Sequence, residues 1–240
     1  MESRLQLAIG RQPDPYTCGA TCLQAVYRYF SDEIALPQLI DEIESLKNRG
    51  TLADYLACHA LQRGYQAIIY TWNLQVFDPT WFPGDADSLS HYLRRQIEFK
   101  PGSRIKEATL AYLRFLELGG ELRMEDLSSG LIRHYLKQNI PILTGLSATW
   151  LYREPREYGL DCTPDNVRGT PQGHFVVLCG YEPEQRQVLV ADPLQPDPTS
   201  QEGQKYLIDL NRVVSSITLG IVTYDANLLI LMPPNVSLES

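Results

Sequence analysis

Apolar residues recur at helical spacing from Cys18 to Phe30, at Ala20, Leu23, Val26, Tyr27 and Phe30, which predicts a buried helix with Cys18 in its first turn. A second helix is expected from Leu36 to Lys47 on the stripe Leu36, Leu39, Ile40, Ile43 and Leu46. A third, Thr51 to Arg63, gathers Leu52, Tyr55, Leu56 and His59 on one side and stops at Gly64. Tyr65 to Thr71 then reads as a short strand.

Between Trp72 and Gly120 a Pro- and aromatic-rich loop, Asp78 to Gly84, leads into two expected helices, Asp87 to Phe99 and Arg104 to Leu118. This stretch, about 72–120, reads as a helical elaboration. Met124 to Gln138 carries Leu127, Leu131, Ile132, Tyr135 and Leu136 at helical spacing, and the apolar run Ile140 to Leu146 follows it. From Gly173 the period changes. His174 to Tyr181 is apolar and β-branched, Glu182-Pro183-Glu184 is a turn, and Gln187 to Ala191 is a second strand, so a hairpin is expected. A Pro-rich loop, Asp192 to Gly203, and an Asn211 to Leu219 segment precede a last strand, Asn227 to Met232, which Pro233-Pro234 ends. Helices first and strands afterwards give an α+β class: an N-terminal helical part packed on a C-terminal antiparallel sheet, in a single domain over 1–240.

Composition narrows the function classes. The 240 residues are 44% hydrophobic and 21% charged, the balance of an ordinary folded domain. A net charge of −8 with no basic run argues against a nucleic-acid partner. No apolar stretch approaches the ~20 residues that cross a bilayer, and Met1 to Gln6 has no secretory character, so no membrane partner and a cytoplasmic location are expected. Five cysteines at irregular spacing read as free thiols, and no Cys/His set stands at zinc-ligand spacing, so neither a metal nor a cofactor is expected.

The chemistry concentrates in four residues. Cys18 at a helix start would have its thiolate favoured by unpaired N–H groups and the positive helix end. Its own N–H is an oxyanion donor, and Gln12, six residues upstream beyond Pro13 and Pro15, offers a neutral amide as the second. Among the histidines His174 alone opens an apolar strand after a glycine, at the end of a long polar segment. His59 and His134 fall in helical stripes, and His91 lies among exposed neighbours. Asp192 closes the next strand, where it could fix the imidazole's orientation. Gly19 would let a substrate carbonyl approach the backbone, Gly173 borders the base, and the long segment Thr149 to Gln172, with Trp150 and Tyr158, is expected to line the cleft or act as a lid.

The runs Gln12 to Leu23, Gly173 to Leu178 and Val190 to Pro193 resemble those of the papain-like cysteine peptidases that process bacteriocin leaders, family thirty-nine of the cysteine peptidases. The resemblance implies a papain-like fold and the roles of nucleophile for Cys18, base for His174, orienting acid for Asp192 and oxyanion donor for Gln12. With no membrane span and extra helices at 72–120, the chain is similar to a stand-alone branch. The expected activity is cleavage of a peptide or isopeptide bond in a peptide or protein substrate through a thioester acyl-enzyme. Acyl transfer to a second amine and a non-catalytic peptide-binding module are the alternatives. A redox pair of Cys18 with Cys22 is disfavoured, because the two do not form a CxxC motif, and core packing is expected for Cys22.

Overall fold

The computed structural model describes residues 3–43, 50–159, 161–194 and 204–234. After a two-residue strand, β1 (Ser3–Arg4), come α1 (Cys18–Tyr29), α2 (Leu36–Glu42) and α3 (Ala53–Gln62), then β2 (Gln66–Thr71). Gly64, at φ +90°, makes the left-handed turn that separates α3 from β2. The α2 helix ends where Ile43 turns extended, short of the expected Lys47, and residues 44–49 lie outside the described ones. Two helices follow, α4 (Ala86–Phe99) and α5 (Ser103–Glu117), and lead to β3 (Glu121–Arg123).

That last strand revises the antiparallel expectation. β3 pairs with β2 in parallel, Ile69 opposite Leu122. A parallel pair needs a long crossover, and α4 with α5 supplies it. The 72–120 segment is therefore the link that adds an edge strand to the sheet.

The expected helix from Met124 begins only at α6 (Ser129–Lys137). Ser128 is its N-cap, with its Oγ accepting from the Leu131 N–H at 3.2 Å, so Met124 to Leu127 are connecting chain. β4 (Ile142–Ser147) follows, then α7 (Ala148–Tyr152), capped by Ser147. The segment read as a long polar loop is thus structured. After Arg153 reverses the chain at φ +58°, β5 (Glu157–Tyr158) pairs with β6 (Thr163–Pro164). The Arg156 guanidinium holds the carbonyls of Asn166 and Val167, and Arg168 pairs with Asp165.

The expected hairpin is β7 (Gly173–Glu182) with β8 (Gln187–Ala191). β9 (Lys205–Asp209), which the alternation did not disclose, pairs with β8, and residues 195–203 of the Pro-rich loop lie outside the described ones. α8 (Leu210–Leu219) and β10 (Asn227–Met232) complete the chain. The sheet runs β3-β2-β10-β4-β7-β8-β9, with β1 on the far end of β7.

The last strand in sequence lies inside the sheet, between β2 and β4. Every residue of β4 and β10 is buried, as is all of β7 except its two ends, so both faces of the central sheet are covered. Helix α1 packs on β7, α3 on β2 and β10, and α8 on β4. Cys22 joins α1 to the sheet by donating its thiol to the Phe175 carbonyl at 3.2 Å.

Truncating a fully buried side chain of β10 removes apolar burial and leaves a cavity. We expect Leu229→Ala to cost about 2–5 kcal/mol in urea unfolding, and Ser128→Ala, which removes only the α6 cap, about 1 kcal/mol. Equal costs would mean that the sheet centre is less tightly packed than described.

Candidate active site

Cys18 begins α1 and is 9% exposed. No side chain caps this helix. Thr17 turns its hydroxyl to the Asp14 carbonyl instead. The first-turn N–H groups at Cys18 therefore keep their donor capacity beside the sulfur. Gly19 is buried for a packing reason: a Cβ there would stand 2.5 Å from the Thr51 methyl and 3.3 Å from the Phe175 ring. Its lack of a side chain lets α1 settle onto β7.

His174 stands at the N-terminal end of β7, and Asp192 directly follows β8. Antiparallel pairing returns the chain to the same end of the sheet, so two residues eighteen apart meet, with His174 Nε2 2.9 Å from Asp192 Oδ1. Cys18 lines the same cleft as the imidazole and draws its ionisation upward. Burial opposes the charged ring, yet the hydrogen bond to Asp192 and the interactions with Cys18 and the Asp192 charge outweigh it and push the His174 pKa up to about 10.

Asp192 is 1% exposed, and burial alone would raise its carboxyl. Four donors reverse that. His174 and the Leu194 N–H (2.9 Å) bond Oδ1, while the hydroxyls of Tyr152 (2.5 Å) and Tyr206 (2.7 Å) converge on Oδ2. The carboxyl is held below its ordinary range, and both phenols are pushed up by burial beside it. Neither tyrosine was assigned a role from sequence. Tyr152 belongs to the aromatic segment singled out there, whereas Tyr206 lies on the strand that was missed.

Gln12 is also buried and is tied to the same corner, its backbone N–H donating to the Pro193 carbonyl at 2.9 Å. One amide hydrogen of its side chain goes to the Asp14 carbonyl at 2.8 Å, which leaves the other. Its Oε1 is buried with no hydrogen-bond partner among the described residues.

A cleft of about 480 Å³ brings together Gln12, Cys18, Gly173 and His174, with Arg104, Glu157, Cys162, Thr223 and Asp225 among its other walls. Gly19, Trp150 and Tyr158 do not line it. Trp150 and Tyr158 are half exposed, with the Arg168 guanidinium 4.5 Å above the Tyr158 ring. His59 is held by Tyr27 and Glu42, and His134 bonds Gln138, so both are accounted for by structural contacts. All five cysteines are free thiols, and no group of metal-ligating side chains occurs among the described residues. No helix among them is long and apolar enough to cross a membrane.

A helix-borne cysteine near a sheet-borne histidine, with the histidine's carboxylate just past the end of the adjoining strand, is the arrangement of a papain-like α+β fold. Residues 124–211, which carry His174 and Asp192, match the family model described as the Peptidase_C39 like family. That segment is similar to the family and makes up about a third of the chain, and a cysteine peptidase is the enzyme class the match supports. Three solved structures are similar at low identity. A double-glycine-motif protease from an AMS/PCAT transporter, in complex with its leader peptide, is 15% identical at TM-score 0.46, over 96% of this chain and 94% of that one. A C39-like peptidase from Bacillus anthracis is 13% identical at 0.49, over 97% and 98%. Xylellain, a cysteine protease from Xylella fastidiosa, is 13% identical at 0.46, over 97% and 85%. Among the curated proteins nothing matches the chain.

Because the folded His174 pKa of about 10 exceeds the ordinary 6.5, this ionisation stabilises the fold fully below about pH 6.5, and the contribution is lost as pH rises through about 10. Asp192→Asn removes the first of the raising contacts and leaves the desolvation. The imidazole of that variant should titrate well below 10, as read from its 15N chemical shifts. A value that stays near 10 would mean that Asp192 does not hold the charge.

Proposed function

We propose that this chain is a cysteine peptidase or amide hydrolase that cleaves a peptide or isopeptide bond through Cys18, His174 and Asp192. One observation carries this: the imidazole, bound by a buried carboxylate with four donors, shares the wall of an open cleft with the thiol at a helix N-terminus and is coupled to it. The proton of the pair rests on His174, whose pKa of about 10 keeps the imidazole charged at neutral pH, with Nε2 engaged by Asp192, and Cys18 enters the reaction as the thiolate of that ion pair. The thiolate then attacks the substrate carbonyl carbon, and negative charge moves onto the carbonyl oxygen. The Cys18 N–H and the remaining Gln12 amide hydrogen are the donors assigned to that oxygen. As the oxyanion collapses the C–N bond breaks, and imidazolium gives its proton to the leaving amine. Water, deprotonated by His174, then attacks the thioester, freeing the acid and restoring the thiolate beside the imidazolium.

Asp192 and its tyrosines act by holding the imidazole, with no bond to substrate. Gly173, in the cleft wall, is assigned to substrate binding, and the mechanism assigns no contact to Gly19, Trp150 or Tyr158. The substrate class is a peptide or protein, and the whole of 1–240 is taken as one unit around a connected core.

At neutral pH iodoacetamide should alkylate Cys18 selectively over Cys22, Cys58, Cys162 and Cys179, as resolved by peptide mass spectrometry, and His174→Ala should abolish that selectivity. Turnover of a cleaved peptide should fall about 10²–10⁴-fold in the same variant. Alkylation of Cys18 at the same rate with and without His174 would leave the thiol without its base and overturn the assignment.

A further inference from the structure

Asp225 lies outside the four residues that carry the reaction, yet it lines the same cleft. It stands between α8 and β10, and the residues on either side of it, Tyr224 and Ala226, both adopt positive φ, 69° and 38°. Neither is a glycine, so this backbone is strained. Room for the carboxyl is made by glycines. A Cβ on Gly173 would stand 2.0 Å from Asp225 Oδ2, and one on Gly145 would stand 2.9 Å from Oδ1. The Asp225 side chain therefore reaches the backbone directly preceding His174.

Asp225 is 5% exposed. Its Oδ2 accepts from the Thr223 hydroxyl at 2.6 Å, and no donor reaches Oδ1 among the described residues. The nearby cations are otherwise engaged. Arg104 donates to the Thr223 carbonyl at 2.9 Å and lies 4.8 Å over the Tyr224 ring, and His174 is held by Asp192. No ion pair joins either to Asp225. Burial accordingly pushes its carboxyl up to about 7, against the pull of Thr223, Arg104 and His174. A buried carboxylate left without a full partner gains most from a cation brought to it. Once thiolate and imidazolium balance each other, the cleft wall holds two carboxyls, Asp225 and Glu157, against the one guanidinium of Arg104.

We infer that Asp225, with Thr223, forms a specificity subsite that receives a basic side chain, lysine or arginine, of the peptide substrate beside the scissile bond. The inference rests on the peptidase assignment and adds the substrate's charge. Association of the basic group needs no covalent step: its N–H donors meet Oδ1, and the charges cancel in a site shielded from water.

The test uses irreversible peptidyl acyloxymethyl ketones that label the nucleophile, with Lys, norleucine or Glu scanned through the positions next to the warhead. At one position Lys should label Cys18 at least about tenfold faster than norleucine, a difference of about 1.4 kcal/mol, and Glu should be slowest. In Asp225→Asn the Lys-to-norleucine ratio should collapse to within about twofold of unity, while the norleucine probe reports whether the nucleophile is intact. If the variant fails to fold, the wild-type order Lys, norleucine, Glu decides alone. No basic preference at any position, or one that survives Asp225→Asn, overturns the subsite while Cys18 labelling by the neutral probe keeps the peptidase assignment standing. Failure of every probe to label Cys18 overturns both.

Discussion

The fold is arranged around one buried charge. A carboxylate that is 1% exposed carries a desolvation cost of several kcal/mol, and Asp192 meets it with four donors drawn from four parts of the chain. Tyr152 comes from α7, Tyr206 from β9, His174 from β7 and the Leu194 N–H from the turn that Asp192 itself begins. Each donor fixes a neighbouring element. α7 must end next to β8, and β9 must extend the sheet beyond it. Two phenols that stay protonated across the working pH range are suited to this corner, because they donate without bringing a compensating positive charge. The positive charge is left to His174, where it can move.

What the sheet contributes is convergence. His174 and Asp192 meet because β7 and β8 are joined by a tight hairpin, and a one-residue slip of that pairing would turn one partner to the other face. The β7–β8 register shifts between Leu178 and Gly180, on the turn side of the stretch that pairs Val177 with Ala191, so the pairing nearest the site is regular. Cys18 is brought up by different means. Gly19 and the Cys22 thiol seat α1 on Phe175, the residue after the base, so nucleophile and base are positioned through adjacent points of one strand.

Much of this could be read from the amino-acid order because the central elements have strong local patterns. The α1 stripe, the β7–β8 hairpin and the apolar run of β10 are visible without tertiary information, and they carry Cys18, His174 and the approach to Asp192. Features that depend on distant partners were not legible. β3 is three residues long and exists because β2 offers it an edge, so nothing local marks it. Met124 to Leu127 continue the apolar period into α6, and only the Ser128 cap shows where the helix starts. Tyr206 sits on a half-buried strand whose alternation is weak, and its role is set by a carboxylate fourteen residues away. Asp225 looks like an ordinary turn residue in sequence. The glycines that make space for it, 145 and 173, lie on two other strands.

Gln12 shows how the two halves of the site are coupled. Its backbone donates to Pro193, so the loop that presents the amide is fastened to the turn that runs from Asp192 to Leu194. Gln204 reinforces this link, donating to both the Gly10 and Asp192 carbonyls. Displacing the Asp192 turn would therefore shift the proposed oxyanion donor together with the imidazole's anchor. Geometry of that kind matters to catalysis, because a donor stabilises developing charge only if it is in place before the charge appears. Pro13 and Pro15 restrict the loop's backbone, while Asp14 accepts one Gln12 amide hydrogen through its carbonyl, so the side chain is oriented before substrate arrives. The buried carboxylate thus orders the base directly and the proposed oxyanion donor through the chain that surrounds it.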